Sequence, residues 1–274
     1  MKRFSIDNTD IAYSERGEGE PVFLVHAGVF SDWFLPVSET RSLDGFRVVR
    51  VRRAGYGDRM PPRHLTIADH ARHVAALADQ LGLERLHWVG HSSSCQIGLQ
   101  LAVERTNLVA SLILLEPAAV GGFFVPASEE LARRFVGPAM AAFAAGDTET
   151  AFDTFMRGVC GESYRDVLAD RLGSTGIDRA VRESAFFFRD EVPAVLESQF
   201  GEAEASSVQQ PVLVAEGAQS ARLGPLSQQI TALARKLLPD AEIVTVEGTN
   251  HMMPLQDPDA VGRLIQTFVS SVPR

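Results

Sequence analysis

Apolar residues in this chain follow two patterns. Continuous runs of β-branched and leucine residues recur at both ends of the chain, and runs of this length are typical of strands buried in a parallel sheet. Six such runs are Val22–Val25, Val48–Val51, Leu86–Val89, Leu112–Leu115, Val212–Ala215 and Ile243–Val246. Before them, Phe4–Ile6 and Ile11–Ser14 indicate an opening hairpin. The pattern therefore predicts a mostly parallel sheet of eight strands.

The segments between these runs have the periodicity of amphipathic helices. One apolar face contains Ile67, Ala71, Val74, Ala75, Ala78 and Leu81. Another, after a helix start signal at Pro258, contains Val261, Leu264, Ile265 and Phe268. Alternation of strands and helices predicts an α/β fold, with helices flanking the sheet.

The alternation stops between residues 119 and 208, where only helices are predicted. The candidate helices are Glu129–Ala145, Thr148–Val159, Tyr164–Leu172 and Asp178–Phe188. We therefore predict a core formed by residues 1–118 and 209–274, and a helical lid formed by residues 119–208 after the sixth strand. Such a lid would lie over the carboxyl edge of the sheet, where α/β proteins bind their ligands.

Composition narrows the class of protein. The formal net charge of −9 comes without clustered lysine and arginine, so neither nucleic acid nor an anionic membrane is an expected partner. The two cysteines provide neither a disulfide framework nor the ligand spacing of a zinc site. The N-terminal segment is polar, and no window is apolar enough to span a membrane. We expect a cytoplasmic protein.

The most specific motif follows the run that ends at Val89. There, Gly90 and Ser92 lead directly into a helical segment, Ser93–Glu104. A serine on a sharp strand-to-helix turn between very small residues is typical of a nucleophile elbow, because the strand and the helix nearly touch. The motif is imperfect, since Ser94 replaces the usual glycine. The alternative is that one of these serines only caps the helix.

This elbow and the strand pattern resemble the α/β-hydrolase superfamily over nearly the whole chain, although the lid matches only in kind. The segment Gly248–His251 is similar to the G-x-x-H signature of that family. His251 follows the last strand run and a turn, and so we expect it at the same sheet edge as Ser92. The resemblance implies that His251 is the general base for the serine. The alternative is a loop histidine that caps the last helix.

The resemblance also implies an oxyanion hole made of two backbone N–H groups. One donor is Ser93, the residue after the nucleophile. The other comes from the loop after an earlier strand, where many members have His-Gly and this chain has His26, Ala27 and Gly28. Register assigns Gly28, because the absence of a side chain lets a substrate carbonyl approach. The alternative is a plain turn glycine.

The acid that orients His251 has two candidate positions in the superfamily. The superfamily often has an aspartate where this chain has Ser220. A second arrangement in the superfamily places the acid after the strand that follows the elbow helix, and Glu116 occupies that position. A charged residue that ends an apolar strand is costly unless it is paired, so we predict that Glu116 binds His251. Glu216 is the alternative acid.

The Ser–His–Glu type resembles zearalenone-type lactonases and related esterases. It implies a serine hydrolase that cleaves a carboxylic ester or lactone of an apolar substrate through an acyl-enzyme intermediate. No metal or organic cofactor is implied, since His70 and His73 share a helix face without a clear third ligand. Arg52 and Arg53 are predicted to form structural ion pairs. A homodimer is compatible with this prediction.

The walls of the substrate pocket are predicted from fewer signals. Three adjacent phenylalanines, Phe186–Phe188, cannot all lie on one face of a helix, so at least one should face the sheet or the pocket. The predicted pocket residues are Val29, Phe186, Phe187, Phe188 and Met252. Two other classes stay open: a non-hydrolytic enzyme on the same scaffold, such as a cofactor-free oxygenase, lyase or cyclase, and a ligand-binding protein without turnover.

Overall fold

The computed structural model describes residues 1–57, 59–118, 126–198 and 200–273. Its sheet consists of β1 Lys2–Ile6, β2 Thr9–Arg16, β3 Pro21–Val25, β4 Arg47–Arg52, β5 Leu86–His91, β6 Val109–Leu115, β7 Val212–Gly217 and β8 Glu242–Val246. The strand order is β1-β2-β4-β3-β5-β6-β7-β8. The pairs β1–β2 and β2–β4 are antiparallel, and the other five pairs of neighbouring strands are parallel. The predicted eight-stranded, mostly parallel sheet is confirmed.

Helices cover both faces of this sheet. The helices of the core are α1 Ile67–Gln80, α2 Ser94–Glu104, α8 Glu202–Ser206, α9 Leu226–Leu237, α10 Met253–Gln256 and α11 Pro258–Ser271. Helix α1 begins at a capping box, in which Thr66 and Asp69 satisfy each other's backbone N–H groups. Helices α1, α2 and α9 pack on one face of the sheet and α11 packs on the other. The layered α/β architecture is therefore as predicted.

Between β6 and β7 the chain forms a cap, which we define as residues 126–197. Its helices are α3 Pro126–Leu131, α4 Gly137–Ala144, α5 Thr148–Cys160, α6 Tyr164–Phe186 and α7 Val192–Glu197. Two π-helical turns, Ala132–Val136 and Phe187–Glu191, connect α3 to α4 and α6 to α7.

The cap differs from its prediction in two places. The predicted helix Glu129–Ala145 is divided by the first π-helical turn. The predicted helices Tyr164–Leu172 and Asp178–Phe188 correspond to the two parts of α6, which meet at Gly173, where a φ of 65° is not helical. The second part ends at Phe186, two residues earlier than predicted, where the next π-helical turn begins.

The predicted lid boundaries at residues 119 and 208 stay a prediction. Residues 119–125 lie outside the described residues. At the other end, Phe200 and Ala205 pack in the same apolar cluster as α2 and α9. The chain has therefore rejoined the core several residues before position 209.

Candidate active site

Ser92 occupies a strained turn between β5 and α2. Its φ of 56° is a left-handed conformation that side-chain-bearing residues rarely adopt, and its backbone N–H donates to Leu115 O at 2.9 Å. Strand and helix approach closely, because a Cβ added to Gly90 would lie 2.8 Å from Ser94 O. The local geometry is that of the elbow inferred from the motif.

Ser94, which replaces the usual glycine, has a defined role in this turn. Its hydroxyl donates to Val25 O at 2.6 Å and accepts from the backbone N–H of His91 at 2.8 Å. The side chain is fully buried. It therefore ties the elbow to the neighbouring strand β3, which explains how the turn accommodates a serine there.

Backbone strain is concentrated at the carboxyl edge of the sheet. Val29 has a φ of 73° and Glu116 a φ of 45°, and with Ser92 they follow β3, β5 and β6. Positive φ is especially unfavourable for a β-branched residue such as valine. Strain of this kind persists where surrounding structure enforces it, and it clusters at functional sites.

The carboxylate of Glu116 is buried and has three partners. One oxygen accepts from Gly217 N at 2.6 Å and from Ser220 Oγ at 2.7 Å. The other lies 3.4 Å from His251 Nδ1. Ser220, at the position where many family members have an aspartate, thus holds the carboxylate that contacts the histidine.

Glu216, the alternative acid, is directed elsewhere. Its carboxylate accepts a hydrogen bond from Thr231 Oγ1 of α9 at 2.7 Å. Among the described residues, the structure therefore brings Glu116, and not Glu216, to His251.

A cavity of about 190 Å³ lies between this sheet edge and the cap. Ser92, Glu116 and His251 all line it. Within the described residues, no hydrogen bond joins Ser92 Oγ to the His251 ring.

The His251 loop is held by buried His91, whose Nε2 is 2.8 Å from the His251 backbone oxygen. Burial lowers the pKa of His91, so its ring is neutral and Nε2–H is the donor.

The cavity wall differs from the predicted one. On the cap side it is formed by Ala127, Glu130, Leu131, Arg134, Phe135, Phe155, Gly158 and Val159. The predicted oxyanion donors Gly28 and Ser93 are not among its described lining residues, and neither are the predicted wall residues Val29, Phe186, Phe187, Phe188 and Met252. The predicted wall residues are at most 6% exposed and pack in the apolar cluster between core and cap. The phenylalanine run fills a core in place of a pocket wall.

The two predicted oxyanion donors lie close to a cap carboxylate that sequence reasoning missed. A Cβ added to Gly28 would lie 2.6 Å from the Phe187 ring and 3.2 Å from Glu191 Oε1. Ser93 Oγ donates to the same Glu191 oxygen at 2.5 Å. Glu191 is 98 residues from Ser93 along the chain, and no local pattern marks it as a partner of the elbow.

Glu191 is neutralised by a buried cation. Arg53 Nη2 donates to both carboxylate oxygens, at 2.9 and 3.1 Å, and also to Ala27 O at 3.0 Å. The Tyr56 hydroxyl donates to Glu191 as well. Burial, with the nearby Glu191 carboxylate, raises the pKa of Tyr56 well above its usual value, so the phenol keeps its proton. Arg53 thus forms the structural ion pair expected for it.

Two further clasps connect the cap to the loop after β3. The Glu183 carboxylate accepts from Ser31 N at 2.7 Å and from Ser31 Oγ at 3.1 Å. Arg179 pairs with buried Asp32, which also binds Arg50 at 3.1 Å. Helix α6 is therefore fixed to the core by charged side chains.

Neither a metal site nor a membrane span is found within the part of the chain that the structure describes. No cluster of three or more potential metal ligands occurs there, and His70 and His73 are buried on α1. The helices in that part are all too short or too polar to cross a bilayer.

Comparisons with known proteins agree with this architecture. A model of the alpha/beta hydrolase family matches residues 22–264. The dihydrolipoyllysine-residue acetyltransferase component of the acetoin cleaving system of Cupriavidus necator is 31% identical over 120 residues, which cover 42% of this chain and 32% of that protein. The chain spans less than half the length of the curated relatives it matches.

Two solved structures superpose over nearly the whole chain. The enol-lactonase from Burkholderia xenovorans has a TM-score of 0.80 at 17% identity, with 98% of this chain and 100% of that chain covered. An N-acyl homoserine lactone degrading enzyme has a TM-score of 0.73 at 22% identity, with 97% and 100% covered. At these identities the likeness is one of fold.

Proposed function

This chain belongs to the alpha/beta hydrolase family, and we propose that it is a serine hydrolase that cleaves a small carboxylic ester or lactone. One observation carries the proposal: the Glu116 carboxylate contacts His251 at the wall of a cavity that Ser92 also lines. A strained serine, a histidine and a buried acid at one cavity are the groups that acyl transfer through a serine needs.

In the proposed mechanism, Ser92 Oγ attacks the substrate carbonyl and His251 takes its proton. Glu116 holds the imidazole with Nδ1 protonated, so that Nε2 is the base. The backbone N–H groups of Gly28 and Ser93 stabilise the oxyanion. The alcohol leaves with a proton from His251, and water activated by His251 then releases the acid. Substrate binding brings the ring within bonding reach of Ser92, as catalytic hydrogen bonds often tighten only in the complex.

The cavity favours a small and largely apolar acyl group. Its volume of about 190 Å³ is below the several hundred Å³ typical of pockets for drug-sized ligands. Leucine, phenylalanine, valine and proline side chains form much of its wall. We therefore place short-chain esters and small lactones ahead of macrolactones, which a roomier pocket would suit. A cytoplasmic location and a homodimer belong to the same proposal.

The proposed function is tested with a fluorophosphonate probe and a p-nitrophenyl ester of a short acid. We expect probe labelling and turnover in the wild type, a loss of about 10³-fold or more in Ser92→Ala, and more than about 10²-fold in Glu116→Gln. The matched control is Glu216→Gln, which should retain activity within about twofold because it lies outside the cavity wall.

Two outcomes would contradict this function. Turnover that survives Ser92→Ala would indicate a non-hydrolytic enzyme that uses His251 alone. A wild type that neither labels nor turns over would indicate a ligand-binding member of the family.

A further inference from the structure

We propose that Glu191 is a positioning residue for the oxyanion hole, through which the seating of the cap controls catalysis. The inference rests on the proposed function, because it matters only if Gly28 and Ser93 donate to an oxyanion. It concerns a cap side chain that bonds the Ser93 hydroxyl and lies beside Gly28.

A single carboxylate oxygen carries the geometric argument. Glu191 Oε1 accepts the Ser93 hydroxyl at 2.5 Å and lies 3.2 Å from the position that a Cβ on Gly28 would take. The two proposed donors come from different loops, after β3 and after β5. Their separation must match one oxygen atom of the transition state, and Glu191 bonds one donor residue and lies beside the other.

Charge explains why Glu191 positions the donors and does not oppose them. An unpaired carboxylate beside a developing oxyanion would repel it strongly in a buried site. Here Arg53 neutralises the carboxylate through both oxygens, at 2.9 and 3.1 Å. The same guanidinium donates to Ala27 O, one residue before Gly28. Arg53 and Glu191 together therefore fix the Gly28 loop from two sides.

The location of Glu191 connects this device to the cap. Glu191 is the last residue of the π-helical turn Phe187–Glu191, whereas Ser93, Arg53 and Tyr56 belong to the core. Such π-helical turns are frequent at functional sites. If the cap lifts, Ser93 loses its partner and buried Arg53 loses its counter-ion, so an open cap and a formed oxyanion hole exclude each other.

The test compares transition-state binding with substrate binding in two variants. Ser93→Ala removes the hydroxyl that Glu191 holds and keeps the backbone N–H, and Glu191→Gln removes the charge. We expect kcat to fall by about 10- to 100-fold in each. The inhibition constant of a trifluoromethyl ketone matched to the ester should rise by the same factor, while KM changes by less than about threefold.

A matched control separates positioning from cap stability. Glu183→Gln makes the same chemical change on the same side of the cap. It removes the charge from the bonds to Ser31 of the same loop and leaves both donors unchanged. We expect kcat within about threefold of wild type. In the double variant that combines Ser93→Ala with Glu191→Gln, the loss of kcat should exceed that of the more damaging single variant by no more than about twofold. Both substitutions act on the same hydrogen bond, from Ser93 to Glu191, so their effects should not add.

The outcomes distinguish this inference from the proposed function. An active wild type whose Ser93→Ala variant keeps its kcat and inhibition constant overturns the inference alone. An unlabelled, inactive wild type overturns the proposed function and the inference with it. If Glu191→Gln fails to fold, Ser93→Ala decides the question, because it leaves the ion pair between Arg53 and Glu191 intact.

Discussion

The two sides of the cap are attached to the core in different ways. The anchored half, α6 with Phe187–Glu191, reaches the core through the Glu183, Glu191 and Arg179 side chains. Within the described ranges, the cavity half, α3 with Ala132–Val136, has one hydrogen bond to the core, from Ala127 N to Gln229 Oε1 at 2.9 Å. Charged side chains with buried partners hold the anchored half, whereas the cavity half borders the cavity and has few polar contacts with the core.

This difference assigns the two halves different kinetic roles. In the anchored half, Phe186, Phe187 and Phe188 are at most 6% exposed, whereas most residues of Ala132–Val136 are exposed. Moving the cavity half breaks few contacts, so substrate entry is expected there. Changes in the anchored half should therefore lower stability, and they should lower kcat where they reach Gly28 or Ser93. Changes in the cavity half should mainly alter KM.

The largest contrast should come from truncating one phenylalanine on each side. Phe187→Ala empties a site in the packed cluster between core and cap and should lower the free energy of unfolding by about 3–5 kcal/mol. Phe135→Ala, at the half-buried cavity wall, should cost about 1 kcal/mol. Urea unfolding followed by circular dichroism measures both. Equal losses would remove the distinction between the halves.

A pair of glycines gives the next contrast, this time in kcat. Gly28→Ala would place a methyl group 2.6 Å from the Phe187 ring, which the anchored half cannot move, so we expect about a 10²-fold loss of kcat. Gly158→Ala would place a methyl group 2.3 Å from Phe135 Cγ and 2.6 Å from Phe135 Cβ, so the turn that carries Phe135 must shift. Most of Ala132–Val136 is exposed and can move, and kcat should stay within about threefold. Similar kcat values for both variants in an ester assay would show that the two halves of the cap accommodate an added methyl group equally well.

Charge in the cavity half should affect substrate preference by a smaller factor. Arg134 and its neighbour Arg133 both pair with Glu130. Arg134 is largely exposed and lines the cavity, and Arg133 is not among the lining residues. Arg134→Ala should raise KM about three- to fivefold for an ester that carries a carboxylate, and leave KM for a neutral ester unchanged. Arg133→Ala is the control. The interpretation of this wall is wrong if both variants behave alike.

The smallest expected effect is a pH dependence of stability in the anchored half. Burial raises the pKa of Glu183 above its ordinary value of 4.5, so the folded protein holds a proton that the unfolded chain releases. The free energy of unfolding should therefore fall as pH rises from about 4.5 until Glu183 ionises in the folded state, by about 1 kcal/mol or less. The stability difference between wild type and Glu183→Gln, followed by thermal melting, should show this decline. A pH-independent difference would contradict it.

Local pattern was enough to predict the sheet and the residues that follow its strands. Apolar runs end where parallel strands end, so the sequence alone predicts that Ser92 and Glu116 lie at the carboxyl edge of the sheet. The expected contact between Glu116 and His251 follows from the cost of an unpaired charge after an apolar strand. These inferences rely on neighbours in sequence.

The side-chain contacts of the cap could not be predicted in this way, because their partners are distant in sequence. Helical periodicity requires that the side chains of Phe186–Phe188 point in different directions, and on that basis all three were predicted to line the substrate pocket. The π-helical turn and packing against both the core and α5 bury all three rings. Glu191 was missed because its partners Arg53 and Ser93 lie 138 and 98 residues away. Such contacts depend on tertiary packing and leave no periodic signal.

The hydroxyl of Ser220 also bears on how the proposed arrangement of serine, histidine and acid can change over evolutionary time. An aspartate there, added to Glu116, would crowd two negative charges against one imidazole, and loss of Glu116 without it would leave the ring without a counter-charge. Moving the acid between strands therefore requires two coordinated substitutions. Lineages are expected to keep whichever arrangement they inherited, so the pair of residues at positions 116 and 220 should serve as a marker of descent.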